Sequence, residues 1–201
     1  ALNNSWCPFF FEDMKQGNRE SLREKAGNFL ELFTVLSVGF VLLASEVYRY
    51  VYVSRDFWGS TMLIPIFVSS YYTNFLCTFP VNFEYYHKKT KVVSIITIVS
   101  SLVNVGLNYL LILRIGMAGA AVATLISHSL QLTLHYLYVR FALGGKEYPF
   151  PLKMWGGYAA VFTAVAVASV AADGLWLARW GLGAAIGAWE LLRIRKRKVL
   201  I

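Results

Sequence analysis

Charge is scarce in this chain: 15% of its 201 residues are Asp, Glu, Lys or Arg, against about 25% in soluble domains. That scarcity, with 57% hydrophobic residues, argues against an ordinary soluble fold. Cysteine is nearly absent. Cys7 and Cys77 are too few and too far apart for a disulfide framework, and no CxxC pair offers a metal or redox site. Catalytic signatures are missing as well. Gly145-Lys146 is followed by Glu147 and lacks the upstream glycine of a phosphate-binding loop, and His128 and His135 do not stand in an HExxH arrangement. No cluster of paired carboxylates appears. The expectation is a protein that is not an enzyme, with no catalytic residue, no metal and no cofactor. A signal peptide is also lacking, since the chain opens Ala1-Leu2-Asn3-Asn4-Ser5-Trp6, and it reads as a fragment of a longer protein.

What the chain does have is long apolar blocks. Six spans can be drawn: Phe29 to Val53, Trp58 to Tyr86, Val92 to Leu113, Met117 to Leu143, Leu152 to Ala172, and Gly174 to Leu192. At 1.5 Å per residue even the shortest reaches about 28 Å, close to the roughly 30 Å hydrocarbon thickness of a bilayer. The expected fold is an all-α membrane protein, a six-span antiparallel transmembrane helix bundle whose short connections put sequential spans side by side. Residues 1–28 read as the end of a preceding span and a cytoplasmic loop, with a surface helix suggested by Ser21 and Glu24 in capping-box spacing. Residues 29–143 read as a four-span core, 144–192 as two terminal spans, and 193–201 as a basic cytoplasmic tail.

The excess of basic residues, a formal net charge of +8, is distributed by side. Lys15 to Lys25, Lys88 to Lys91, Arg140 to Lys153 and Arg193 to Lys198 carry all Lys and Arg except Arg49, Arg55, Arg114 and Arg179. Basic loops stay in the cytoplasm, so the C-terminus is expected inside. The Arg193 to Lys198 run then meets anionic membrane lipids rather than nucleic acid.

Polar residues inside spans are costly and face protein or a wet cavity. Thr97, Ser101, Asn104 and Asn108 share one helical face, and His128, Gln131 and His135 share one on the next span. Asn74 is expected to join Asn104 and His128 near mid-membrane. Such a layer serves either as interhelical hydrogen bonding or as a substrate-facing wall of Asn74, Asn104, Asn108, His128 and Gln131. Glu46 and Arg49 are spaced to pair with each other, as a structural ion pair or as an ion-coupling or gating pair. Pro65 and Pro80 each remove a backbone donor from the second span and mark a bend or hinge. Glu84, Arg140 and Glu190 lie near helix ends, where snorkelling to water accounts for them. Small residues repeat every four positions at Gly116, Ala120 and Thr124, at Gly156, Ala160, Ala164 and Ala168, and at Gly183 and Gly187, a helix-packing signal.

The string Tyr86-His87-Lys88-Lys89-Thr90-Lys91, then Asn104 to Asn108, Asn108-Tyr109-Leu110-Leu111-Ile112 and Gly116 to Ser127 resembles the oligosaccharide flippases. These are the O-antigen, capsule and exopolysaccharide repeat-unit flippases of the multidrug/oligosaccharidyl-lipid/polysaccharide exporter superfamily. Trp6-Cys7-Pro8-Phe9-Phe10 is similar to a segment closing an earlier span there. The resemblance covers Trp6 to Tyr138, and the last two spans match in hydrophobicity alone. It implies a transporter of twelve to fourteen spans in two six-helix lobes, with alternating access to a central cavity. This chain would supply the second lobe and terminal helices in the bacterial inner membrane, and its partner would be an N-terminal lobe of the same protein. The implied cargo is a polyprenyl-pyrophosphate-linked glycan used in surface polysaccharide biosynthesis, with a polysaccharide polymerase as a candidate partner. One departure stands out: no Arg or Lys lies at mid-span to meet a pyrophosphate. A multidrug or ion antiporter of the same superfamily is the alternative reading, and a membrane-embedded polymerase or transferase is a third.

Overall fold

The computed structural model describes residues 2–52, 55–145, 147–171 and 175–197 of the chain. Val53, Lys146, Ala172, Gly174 and Lys198, used above as span ends or as basic residues, lie outside the described residues. Among those described there is no strand, and seven α-helices follow one another. They are α1 (Leu2–Gln16), α2 (Arg19–Val47), α3 (Ile64–Tyr86), α4 (Thr90–Ile115), α5 (Met117–Phe141), α6 (Leu152–Ala171) and α7 (Trp176–Arg197). A π-helical turn, Tyr48–Tyr52, extends α2, and a 3-10 segment, Arg55–Leu63, leads into α3.

Five helical stretches are long and apolar enough to cross a membrane: Arg19–Tyr50, Trp58–Tyr86, Thr90–Ile115, Met117–Phe141 and Leu152–Ala171. The chain is thus an all-α, multi-pass membrane protein. The expected sixth span does not meet that criterion as α7, because Arg179, Glu190 and Arg193 interrupt its apolar run. The stretch before residue 29, where a surface helix was expected, is helical, and from Arg19 on it is continuous with the first span as α2. Asn18, not Ser21, caps α2, its side chain accepting from the Ser21 amide at 3.2 Å. The supposed tail residue Arg193 lies within α7.

Sequential packing holds only in part. α3 packs against α2 and α5, and α5 packs on α4, but α6 and α7 both return to α2 instead of continuing the row beyond α5. Aromatic residues direct that return. Phe150, in the loop before α6, is buried against Trp6, Phe10 and Phe79, and Phe162 of α6 stacks on Tyr72 of α3 at 4.2 Å. Phe33 of α2 stacks on Phe75 of α3 at 3.7 Å, so one aromatic core joins α1, α2, α3, α6 and that loop. The Arg23 guanidinium donates to the Pro149 carbonyl at 2.8 Å and the Tyr86 hydroxyl to the Met14 carbonyl at 3.4 Å. These ties gather the α1–α2 turn, the end of α3 and the α5–α6 loop, all expected to be basic and cytoplasmic, at one end of the bundle.

The small-residue stripes divide. On α5 the close approach falls beside the expected row of Gly116, Ala120 and Thr124, at Gly119, where a Cβ would lie 2.4 Å from the Leu111 backbone of α4. Gly116, with φ +59 and ψ −141, makes the reversal between α4 and α5 in a region open in practice to glycine alone. Gly183 rests on Leu42 and Leu43 of α2. On α6, by contrast, Ala160, Ala164 and Ala168 are exposed, and the buried face is Phe162, Ala166 and Ser169.

Two ion pairs set α7 against α2. The Arg179 guanidinium lies 3.1 Å from the Glu46 carboxylate, both nearly inaccessible, and it also donates to the Leu42 carbonyl at 3.2 Å. Arg193 pairs with Glu31 farther along. The glutamates and the arginines are each separated by about 21 to 23 Å of helix at 1.5 Å per residue, so the two pairs form together only if the helices run antiparallel in one register. Breaking one therefore strands a charge. Arg179→Ala is expected to cost about 3 to 5 kcal/mol, while replacing Glu46 and Arg179 together by Met restores most of it. Thermal unfolding in detergent measures both, and Gly119→Leu should separate α4 from α5 in the same assay.

Candidate functional site

The expected polar layer does not assemble into one wall. Asn104 and Asn108, half-buried on α4, bond to each other, with the Asn108 amide donating to the Asn104 carbonyl oxygen at 2.9 Å. His128 turns to α3 instead, its Nδ1 lying 2.9 Å from the Ser70 carbonyl oxygen, which makes Nδ1 the donor. Gln131 is half-buried on α5. Asn74 is exposed and joins neither group, because α3 turns Phe75, Leu76 and Cys77 inward at that level. Interhelical bonding, the first of the two roles expected for this layer, is what His128 performs.

The Glu46–Arg49 pairing is likewise corrected. Glu46 is held by Arg179 and by the indole of Trp180, whose Nε1 donates to its other oxygen at 3.4 Å. Arg49 reaches forward to the Thr61 hydroxyl at 3.0 Å. A buried carboxylate gains more from a guanidinium on a facing helix, out of water, than from one a turn away that can reach the rim. The two prolines also separate in role. Pro65 sits in the first turn of α3, where its missing N–H costs nothing, while Pro80 is buried inside the helix. The backbone irregularity is therefore the 3-10 stretch before Pro65.

A cleft of about 410 Å³ opens beside that junction, between α3, α5 and α6. Pro65, Ser69 and Thr73 line it from α3, Ser129 from α5, and Phe162 and Thr163 from α6, among aliphatic neighbours. Its five hydroxyls are already committed, that of Tyr72 to the Thr34 hydroxyl of α2 at 2.7 Å. Ser69 donates to the Pro65 carbonyl at 2.7 Å, Thr73 to Ser69 at 2.9 Å, Ser129 to Leu125 at 2.8 Å and Thr163 to Ala159 at 2.8 Å. Each Ser and Thr donor is thus closed within its own helix, as is common for these residues. The cleft offers an apolar wall with weak acceptors and no cation, a surface for a hydrocarbon chain and not for an anionic headgroup.

The structure adds a site that sequence reasoning assigned to snorkelling. Glu84 is fully buried, its Oε1 lying 2.8 Å from Nδ1 of His135, itself fully buried. Around this end of α3, Tyr148 packs on Phe83, Phe150 on Phe79, and Tyr86 donates to Met14 of α1, and Glu84 has no exposed surface from which to snorkel. The available signal was His135 itself, at the same end of the bundle as Glu84. Tyr148, in the loop, packs on Phe83 at 5.2 Å and beside Tyr136 at 6.5 Å. Burial pushes its phenol well above the ordinary tyrosine range, with Tyr136, Cys77 and Glu84 adding to the rise. Glu190, also expected at a wet helix end, is buried on α7. Arg140 is exposed, as expected. Among the described residues no group of three or more His, Cys, Asp or Glu could hold a metal ion.

Comparison with known proteins places this chain beside an uncharacterized membrane protein of Haemophilus influenzae, 28% identical over 107 residues. The aligned part is 53% of this chain, and the chain spans about a quarter of that relative, 26% of its length. No family model and no solved structure matches.

The bonding pattern separates structural from peripheral polar residues. His128→Leu, which removes the α3–α5 bond, is expected to cost about 1 kcal/mol, while Asn74→Leu leaves stability unchanged. Unfolding in detergent micelles reads the difference.

Proposed function

We propose that this chain is part of a transporter that carries lipid-linked oligosaccharide repeat units across the cytoplasmic membrane for surface polysaccharide assembly. The observation that carries the reading is the α3–α5–α6 cleft, an apolar space within the spanning region and next to the irregular start of α3. A polyprenyl chain fits its chemistry. The glycan and pyrophosphate need donors and positive charge that the cleft lacks, and these come from the remainder of the protein, of which this chain is a part.

In this reading α7 is the sixth span. Its Arg179 and Arg193 are neutralised by Glu46 and Glu31, so the helix, about 33 Å long, crosses alongside α2 without exposing a charge to lipid. The basic segments gathered at one end then lie in the cytoplasm, with the C-terminus. Asn104 and Asn108 bond to each other along α4, His128 ties α5 to α3, and the hydroxyl-bearing cleft takes over as the cargo-facing surface. An ion-coupled antiporter needs a buried acidic group free of a permanent counter-cation, and Glu84, not Glu46, meets that description.

Filling the cleft tests the proposal. Ser69→Trp and Thr163→Trp, made in the full-length protein, are expected to cut surface polysaccharide at least about tenfold at normal expression, a loss of about 1.4 kcal/mol or more in the limiting step. Undiminished export by both variants would sink it. Lipid-linked glycans lengthened by the purified protein would instead identify a polymerase or transferase.

A further inference from the structure

α4 is the span least covered by the rest of the chain: 11% of the residues in its most apolar stretch are buried, against 50% in that of α2. Around its axis the residues sort into three faces. Val93, Ile96 and Ser100 are buried where α4 meets α5 and α3, with Val103 and Leu107 half-buried in the same row. Ile95, Ile98, Leu102, Val105 and Tyr109 are exposed on the opposite side, an aliphatic surface suited to lipid. Between these faces runs a third, one residue on from the buried row at every step: Ser94, Thr97, Ser101, Asn104 and Asn108. Its spacing alternates three and four residues, the a and d positions of a heptad, which form the seam along which one helix packs on another. Every member of this seam is polar.

The seam does not satisfy itself. Ser94 donates to the Thr90 carbonyl at 3.2 Å, and the Asn108 amide to the Asn104 carbonyl oxygen at 2.9 Å. That leaves the Asn104 amide and the Asn108 carbonyl oxygen open. Thr97 and Ser101, unlike the Ser and Thr hydroxyls of the cleft, bond to none of the described residues and are exposed. Hydrocarbon offers such groups no partner, so polar side chains within a span face protein or water. The seam lies on the flank of the α4–α5 contact and not on the outer crest of α4, a place for a single helix laid in the angle between the two. Gln131 of α5, as far from the Gly116 reversal as Ser101 and half-buried, brings a further amide to that depth. α6 and α7 both return to α2, so neither takes this place. The stretch aligned with the Haemophilus influenzae protein is 26% of that protein, which leaves the greater part of a chain of that kind to supply the missing helix.

We infer that the polar seam of α4 receives a membrane-spanning helix from the rest of the full-length protein, one that presents hydroxyl and amide side chains at the levels of Ser101 and Asn104. Asn104 and Asn108 set its register, as a buried Asn does in a coiled coil. The inference rests on this chain's being part of a longer protein, and not on what that protein carries.

The test places one nitroxide spin label at a time in the full-length protein in lipid nanodiscs, on Thr97→Cys and Ser101→Cys in the seam and on Ile98→Cys and Leu102→Cys in the aliphatic face. The aliphatic positions are expected to be mobile and relaxed by dissolved oxygen, and the seam positions immobilised and about tenfold less accessible to oxygen, as in a contact that excludes lipid. A carbene precursor dissolved in the lipid and photolysed with unmodified protein gives the same reading should a label wedge the contact apart: insertion at Leu102 and Val105, and none at Ser101 or Asn104. Oxygen or carbene reaching the seam as freely as the aliphatic face puts it in lipid and overturns the inference. Access of a water-soluble nickel chelate to the seam labels means a wet cavity and overturns it too, as does dipolar broadening between labels on two copies, which means self-association. Polysaccharide export in the cleft-filling variants is read separately, so failure of either idea leaves the other standing.

Discussion

A charge in an apolar surrounding must find its counter-charge on another helix, and in this bundle that constraint selects which helices touch. Glu46 and Glu31 on α2 call for two cations in one line, and Arg179 and Arg193 of α7 supply them at matching spacing. Glu84 on α3 calls for another partner and finds His135 on α5. The hydrophobic effect does not discriminate between a helix neighbour and a lipid chain, so it cannot choose among these pairings. Polar matches can, because a mismatch leaves a buried charge unpaired.

Aromatic packing then fixes the end at which α1, α2, α3 and the α5–α6 loop converge. Trp6 stacks on Phe29 at 5.3 Å and meets Phe79 and Phe150. This cluster is why the loop folds back over α3 instead of projecting into water, and the fold-back encloses Glu84. Burial of the Glu84–His135 pair is therefore a consequence of Phe150 and Tyr148 packing inward, not of the helix sequence around either residue. The two levels are linked: loosening the aromatic lid would hydrate the pair.

The helical, membrane-spanning character of the chain was legible in its apolar blocks, and so was the gathering of basic segments at one end. Charges that snorkel and charges that pair look alike in sequence. Glu84, near a helix end, resembles a wet residue, and only the inward loop shows otherwise. Glu46 with Arg49 resembles a local pair, yet the guanidinium that meets it is 133 positions away in sequence, a distance that periodicity cannot see. Asn74 shows the same limit from the other side: a plausible depth says nothing about the face, which was set by Phe75, Leu76 and Cys77 turning inward. The small-residue stripe of α6 was misleading for a similar reason, since its bulky neighbour Phe162 wins the packing face by stacking on Tyr72.

The two ends of α3 carry opposite mechanical properties. At its C-terminal end the helix is held by Phe79, Phe83, the Glu84–His135 bond and the tie from Tyr86 to α1. At the other end it emerges from a 3-10 segment, with Pro65 unable to donate a hydrogen bond back to that segment. His128 bonds to Ser70 between the two ends, so α5 follows α3 at mid-helix while the first turns remain less restrained. The cleft lies on that less restrained side, bounded by Pro65 and Ser69. The 3-10 segment on that side is tied to the end of α2 instead, Arg49 donating to the Thr61 hydroxyl at 3.0 Å and Ser60 to the Tyr48 hydroxyl at 3.4 Å.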